Sequence, residues 1–159
     1  MTDLSPLAPA SFPVLPEIPG VQLAAAACGV RYAGKLDVLL VELAEGTEVA
    51  GVFTKSQTAA APIDWCKKSL TNGKARALVV NSGNANAFNG VAGMTSVERT
   101  ATQTAKVVGC LPEDVFIAST GVIGEALPDE KITDALAGLK SELASDWQAA
   151  AEAICTTDT

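Results

Sequence analysis

The segment ARALVVNSGNANAFNG, residues 75–90, joins an apolar run to a loop of asparagine, glycine and alanine. The run over 75–82 carries no charge after Arg76, which predicts a buried central strand. Four of the chain's five asparagines lie within residues 81–90. Asparagine tolerates left-handed backbone and bonds to its own main chain, so a turn accounts for part of this loop. A polar pocket would also account for it, and both interpretations stay open here because four amides exceed what one turn needs.

Strand and helix patterns alternate around this central strand. Further strands are predicted at 21–30, 36–43, 48–54 and 113–119, the third forming a hairpin with the second. Helices are predicted at 61–73, from Thr95 to Gly109, from Pro128 to Leu143, and at 146–154. Thr95 and Glu98 have the spacing of a capping box, which places a helix start at Thr95. The order of the elements predicts a mixed α/β layered domain over 21–159, preceded by a proline-rich arm over 1–20.

The composition restricts the class of protein. Hydrophobic residues make up 48% of the 159 positions, which excludes a disordered chain. The net charge is −7 and the eleven lysines and arginines are scattered, which argues against a nucleic-acid surface. We expect neither a membrane span nor a signal peptide, because no apolar run is long enough and no charged-then-apolar segment opens the chain. The four cysteines show no metal-ligand spacing, which favours reduced thiols in the cytoplasm.

Histidine is absent from the sequence. The chain therefore cannot hold a Ser-His-Asp or Cys-His arrangement or a histidine-ligated metal. If the protein is an enzyme, its general base is another kind of group or lies on another chain.

Two strand-to-helix junctions could carry chemistry, because ligands of layered α/β proteins usually bind beyond the carboxyl ends of strands. The first is Asn81–Ala87 and the second is Ser119–Gly124. Thr120 and Gly121 place a hydroxyl beside an unobstructed backbone N–H, a pair that could stabilise an oxyanion. From the pattern alone, a tight turn that needs glycine explains the second junction more readily than a binding site does. A phosphate cradle is disfavoured, because neither loop has a Walker lysine or the G-x-G-x-x-G pattern.

Several segments taken together resemble one family. CGVRYAGKLDVLLVEL, AGVFTKSQTAAAPIDW, LVVNSGNANAFNG, ASTGVIGEALP and AICTTDT, in this order, are similar to the ornithine acetyltransferase (glutamate N-acetyltransferase) family of arginine biosynthesis. The likeness runs from about Val21 to Thr159. The resemblance implies a layered αββα sandwich with a mixed sheet, like that of N-terminal-nucleophile hydrolases.

The resemblance also implies residue roles. Thr120 and Gly121 match the oxyanion hole of the family, and Thr156 matches a substrate-binding position. Without the resemblance, Thr156 to Asp158 would be interpreted as a helix terminus. The signature loop with Asn81, Ser82, Gly83, Asn84 and Asn86 is expected to support the site. No metal site is expected.

The activity implied is ping-pong transfer of an acetyl group from N2-acetyl-L-ornithine to L-glutamate. The nucleophile would be the N-terminal threonine of a β chain, cut from the same precursor by self-cleavage. This chain would be the α chain of an α2β2 heterotetramer, ending somewhat short of the cleavage site. No cofactor is implied, although some members of the family take acetyl-CoA as the acetyl donor.

Two rival interpretations remain at this stage. Self-cleaving aminopeptidases and amide hydrolases of similar architecture pass the acyl group to water. A non-catalytic α/β module that binds a small ligand would fold alone as a soluble monomer. The transferase interpretation predicts that Gly121→Ala impairs transfer and leaves assembly largely intact.

Overall fold

The computed structural model describes residues 11–156, in which four strands form one mixed sheet. The strands are β1 (Val21–Ala26), β2 (Val38–Leu43), β3 (Ala77–Asn81) and β4 (Val115–Ser119). The helices are α1 (Ala61–Ser69), α2 (Gly90–Val108), α3 (Asp129–Ser141) and α4 (Trp147–Ile154). Short 3-10 turns, Leu70–Asn72 and Pro112–Asp114, follow α1 and precede β4. The predicted mixed α/β class and mixed sheet are confirmed.

The sheet has the order β1-β2-β3-β4. β2 runs antiparallel to β1 and β3, whereas β3 and β4 are parallel. Parallel strands need a crossover connection, and α2 provides it between β3 and β4. This connection brings the carboxyl ends of β3 and β4 to the same edge, with Asn81 opposite Ser119.

The main core lies between the sheet and helices α1 to α3. Alternate strand residues point to this face because the side-chain period of a strand is two. Leu40, Val79 and Ile117 from adjacent strands pack here against Ile132 and other buried residues of the helices. The opposite face carries a smaller cluster in which Leu39 and Val41 pack with α4. One sheet with helices on both faces is the layered part that residues 11–156 provide.

Both edges of the sheet have backbone or side-chain partners. On β1, Leu23 exchanges two backbone hydrogen bonds with Ala144, at 2.7 and 2.9 Å. On β4, the Trp65 indole N–H donates to the Val115 carbonyl at 2.8 Å. The Cys66 thiol lies 3.2 Å from the Ile117 carbonyl and 3.4 Å from its amide nitrogen. Two consecutive side chains of α1 therefore cover the outer edge of β4 as far as Ile117.

The predicted third strand, 48–54, was wrong. Its only pairing in the described chain is an isolated bridge between Glu48 and Lys74. A hairpin with β2 cannot form because β1 and β3 already occupy both sides of β2. Val52 is 96% exposed and no residue of the segment is fully buried, so the segment also gains little from burial.

The predicted helix start at Thr95 was also wrong. α2 begins at Gly90, with Asn89 as its N-cap, and the Thr95 hydroxyl donates to the Val91 carbonyl inside the helix. The end at Gly109 is confirmed, since this residue caps the helix in left-handed conformation with φ of 81°. Strand β1 ends at Ala26 rather than at residue 30, because the Asp37 side chain binds the backbone amides of Cys28 and Val30.

Residues 11–19 of the predicted arm are exposed and contain no helix or strand. The Trp147 indole of α4 donates to the Pro16 carbonyl at 3.3 Å. Residues 1–10 of the arm lie outside the described range. Among the helices that the structure describes, none combines the length and apolar character needed to cross a bilayer.

Candidate active site

The two predicted junctions lie side by side, because parallel pairing continues beyond the ends of β3 and β4. The Thr120 amide donates to the Asn81 carbonyl at 3.0 Å, and the Val122 amide donates to the Gly83 carbonyl at 3.2 Å. The Ala85 amide then donates to the Val122 carbonyl at 2.9 Å. The asparagine loop, residues 81–87, and the loop of residues 120–124 thus lie side by side, joined by backbone hydrogen bonds.

The asparagine side chains add further hydrogen bonds that hold the two loops in place. The Asn81 amide group donates to the Asn84 carbonyl at 2.9 Å, and its oxygen accepts from the Ser119 hydroxyl at 2.6 Å. The Asn84 side chain donates to the Glu125 carbonyl and accepts from the Asn86 amide. The Asn86 side chain donates to the Gly93 carbonyl of α2 at 2.9 Å. All three side chains are buried, so these bonds fix the path of both loops.

Gly121 must be glycine for the two loops to lie so close. Its φ of +135° is a conformation that residues with side chains rarely adopt. A Cβ at this position would lie 2.3 Å from the Gly83 carbonyl carbon and 2.6 Å from the Asn84 nitrogen. The close approach is between two backbones, so no side-chain rotation would relieve the contact.

Polar groups of Thr120 and Gly121 stay unbonded within residues 11–156. Backbone groups of alternate β4 residues point away from β3, and α1 covers them only as far as Ile117. No acceptor is assigned to the Gly121 N–H or to the Thr120 hydroxyl in that range. The two groups can therefore donate hydrogen bonds to an acceptor that the described residues do not provide.

A cleft of about 370 Å³ lies at this point. The predicted residues Ser82, Gly83, Thr120, Gly121 and Thr156 line it, and Asn81, Asn84 and Asn86 do not. The structure thus brings the predicted oxyanion donors and the predicted substrate-binding threonine to one cavity. It places the asparagines behind that cavity, where they hold the loops.

Sequence reasoning missed one buried acid of the site, Asp37. Its carboxylate accepts from the Cys28 and Val30 amides at 2.7 and 2.6 Å, and its carbonyl accepts from the Ser82 amide at 2.9 Å. These bonds tie the loop between β1 and β2 to the end of β3. A charged residue at the start of the apolar run DVLLVEL was the signal that could have revealed it.

Sequence reasoning also missed the cations of this loop, Arg31 and Lys35. Arg31 forms an ion pair with Glu125, and its guanidinium lies 5.6 Å from the centre of the Tyr32 ring. The Lys35 ammonium donates to the Cys155 carbonyl at 2.7 Å and to the Thr156 carbonyl at 3.2 Å. Arg31, Tyr32 and Lys35 line the cleft, so one wall of the site comes from the segment 27–36.

No group of three or more histidine, cysteine or acidic side chains is placed to hold a metal ion in the part of the chain described. The donors that line the cleft are hydroxyl, amide, ammonium and guanidinium groups, and the one carboxylate named in its lining, Asp37, is already bound by the Cys28 and Val30 amides. Such donors suit an anionic or developing negative charge rather than a cation.

Comparison with known proteins identifies the family of this chain. The profile of the ArgJ family matches residues 22–159, which is most of the sequence. The chain belongs to the ArgJ family. The arginine biosynthesis bifunctional protein ArgJ of Bradyrhizobium diazoefficiens is 54% identical over 99% of this chain. The protein of the same name from Nitrobacter winogradskyi is also 54% identical over 99% of the chain.

This ArgJ chain spans 38% and 39% of the length of those two relatives. Solved structures agree in fold. Ornithine acetyltransferase of Mycobacterium tuberculosis, solved with ornithine, is 36% identical with a TM-score of 0.84, and the match covers 89% of this chain and 78% of that one. The bifunctional protein argJ of Bacillus halodurans is 32% identical with a TM-score of 0.81, covering 89% and 74%.

Cys28 of this ArgJ chain shows how the loop between β1 and β2 alters a thiol. Burial, followed by the nearby Asp37 carboxylate, raises the pKa of Cys28 from 9.0 to about 11. Both causes disfavour the thiolate. The folded state therefore favours the neutral thiol. The contribution of this preference to the free energy of unfolding is fully present below pH 9 and is lost as the pH rises to about 11.

We expect Cys28 to react slowly with iodoacetamide at pH 9. About half of an unfolded thiol is ionised there, against about 1% of a thiol with a pKa of 11, so alkylation should be about fiftyfold slower in the folded protein. Peptide mapping by mass spectrometry gives the rate at Cys28, with protein unfolded in urea as the reference. Equal rates in the two states would contradict the shift.

Proposed function

We propose that this chain is the α chain of a self-cleaving acyltransferase of arginine biosynthesis. The enzyme would move the acetyl group from N2-acetyl-L-ornithine to L-glutamate through an acetyl-enzyme. Membership of the ArgJ family and the likeness to an ornithine acetyltransferase support this activity. Since the chain spans less than two fifths of its relatives, the other catalytic groups would lie in the remaining part.

One observation carries the proposal. The Thr120 hydroxyl and the Gly121 N–H, both unbonded in residues 11–156, line the same cleft as Thr156. An acyl transferase needs donors fixed in advance where the carbonyl oxygen becomes negative. The asparagine loop and the close approach of Gly121 to Gly83 fix these donors, so no reorganisation is needed when the charge develops.

The proposed reaction has two halves. The hydroxyl oxygen of the N-terminal threonine of a β chain attacks the acetyl carbonyl, and the free α-amine of that threonine takes the proton. Thr120 and Gly121 donate to the oxyanion, the C–N bond breaks, and the proton passes to the leaving amine of ornithine. The amine of glutamate then attacks the acetyl ester and releases the threonine hydroxyl. The scheme uses no histidine, metal or cofactor, and acetyl-CoA could replace N-acetylornithine as donor.

The proposed partner is a β chain from the same precursor, in an α2β2 heterotetramer. Phe116 and Ala118, on the face of β4 opposite α1, are only partly buried and belong to neither core cluster. A second layer packed on that face would complete the αββα sandwich. We also propose a cytoplasmic location, which four free cysteine thiols support.

Intact-mass analysis of the complete gene product, before and after mixing with N-acetylornithine, tests the proposal. A second chain that begins with threonine and gains one acetyl group is the expected result. A cleaved protein that releases acetate and never transfers acetyl to glutamate would favour an amide hydrolase. A single uncleaved chain that binds a small ligand without turnover would favour a binding module.

A further inference from the structure

We propose that Lys35 is a positioning residue that holds Thr156 at the cleft. The inference rests on the proposed function and on the substrate-binding role that the family resemblance implies for Thr156. It starts from a contact between two segments 120 residues apart in sequence, the loop between β1 and β2 and the end of α4.

The end of α4 needs hydrogen bond donors. α4 ends at Ile154, and Cys155 already has extended backbone with ψ of 141°. The last carbonyls of a helix have no partner within the helix, and they carry the negative end of its dipole. Lysine near a helix C-terminus can satisfy such carbonyls and stabilise that charge.

Lys35 supplies donors from across the cleft to the two carbonyls that directly follow this helix end. Its ammonium contacts the Cys155 carbonyl at 2.7 Å and the Thr156 carbonyl at 3.2 Å. One cation thus fixes two consecutive peptide groups, which restricts the backbone on both sides of the Thr156 Cα. Lys35 lines the cleft together with Thr120, Gly121 and Thr156.

The loop that carries Lys35 is itself held firmly. The buried Asp37 carboxylate binds two amides of the loop, and the Asp37 carbonyl accepts from the Ser82 amide at the end of β3. Lys35 therefore transmits the position of a fixed loop to the chain at Thr156. Its role is to keep Thr156 at a constant distance from the oxyanion donors, which are fixed independently by the asparagine loop.

The test uses three variants of the complete gene product. Lys35→Met removes the ammonium and keeps the apolar stem, Lys35→Arg restores a cation, and Lys131→Met removes the matched ammonium contact to the Gly29 carbonyl on the far side of the same loop. We expect Lys35→Met to raise KM for N-acetylornithine about tenfold and to change kcat less than about threefold, because positioning of a binding residue is lost. Lys35→Arg should recover most of the affinity, and Lys131→Met should leave KM unchanged.

A second readout separates this inference from the proposed function. Amide hydrogen exchange at residues 153–156 should be faster in Lys35→Met and unchanged in Lys131→Met, whatever reaction the protein catalyses. A wild-type protein without acetyl transfer would overturn the function and leave the exchange result to test the contact. Unchanged exchange in Lys35→Met, equal effects of Lys35→Met and Lys131→Met on KM, or no recovery in Lys35→Arg would overturn the positioning role.

Discussion

Gly121→Ala is expected to reduce acetyl transfer about 10²–10³-fold and to destabilise the protein. The new Cβ would lie 2.3 Å from the Gly83 carbonyl carbon, so one loop must move away from the other. Overpacking of this kind costs about 1–3 kcal/mol, and displacement of an oxyanion donor costs about 10²–10³ in kcat. We expect both effects together, because the same backbone segment holds the loops and carries the donor. Steady-state kinetics and the thermal unfolding midpoint of the complete protein measure them.

Gly124→Ala is the matched control. Gly124 also has positive φ, +82°, but a Cβ there would have no atom within 4 Å. The control thus keeps the backbone strain of about 1–2 kcal/mol and removes the collision. A loss of activity as large in Gly124→Ala as in Gly121→Ala would show that strain, and not the contact with Gly83, explains the effect.

This expectation corrects the one drawn from sequence, where Gly121→Ala impaired transfer and left assembly largely intact. The turn residues alone gave no sign that a second backbone lies against Gly121. The structure places Gly83 and Asn84 there, 38 and 37 positions earlier in the chain. A clean test of the oxyanion role therefore needs a different residue.

Thr120→Val provides that test, and we expect kcat to fall about 10²–10³-fold with little change in stability. Valine keeps the shape of threonine and removes the hydroxyl. That hydroxyl has no assigned partner within residues 11–156, so its loss leaves no protein group there unsatisfied. KM for N-acetylornithine should change little, because the bond is made chiefly in the transition state.

Thr120→Ser is the control, since serine retains the hydroxyl and loses only a methyl group. Its kcat should stay within about tenfold of the original protein. Rates that fall equally in the valine and serine variants would exclude the hydroxyl as the donor. A valine variant with full activity would leave Gly121 as the sole donor proposed from this chain.

The strands and helices that could be predicted are those with a strong local signal. The run ALVV of β3 is apolar on both faces, and Gly109 ends α2 as the pattern indicated. The strand predicted at 48–54 was wrong because two segments could pair with the free side of β2. The later segment, β3, takes that side. Local alternation cannot reveal which of two candidates pairs with a strand.

The residues of the candidate site also differ in whether a local signal in the sequence could reveal them. Thr120 and Gly121 could be proposed because a hydroxyl beside a glycine directly follows a strand. Lys35 could not be proposed, because its contact with residues 155 and 156 exists only in the folded chain. Asp37 could be predicted in part. A charge in an apolar run indicates a buried partner, but the sequence does not show that this partner is the Cys28 and Val30 amides.

The cover that α1 places over β4 has a consequence for self-association. An uncovered strand edge is a template on which other chains can add strands, and it promotes aggregation. The indole of Trp65 and the thiol of Cys66 block such growth at Val115 and Ile117, and Ala144 does so on β1. On the outer edge of β4 that the structure describes, α1 leaves the short stretch Ser119–Gly121 uncovered, and this stretch carries the N–H that we propose as an oxyanion donor. On β4, the edge that remains open to misassembly is thus confined to the residues around the proposed oxyanion donors.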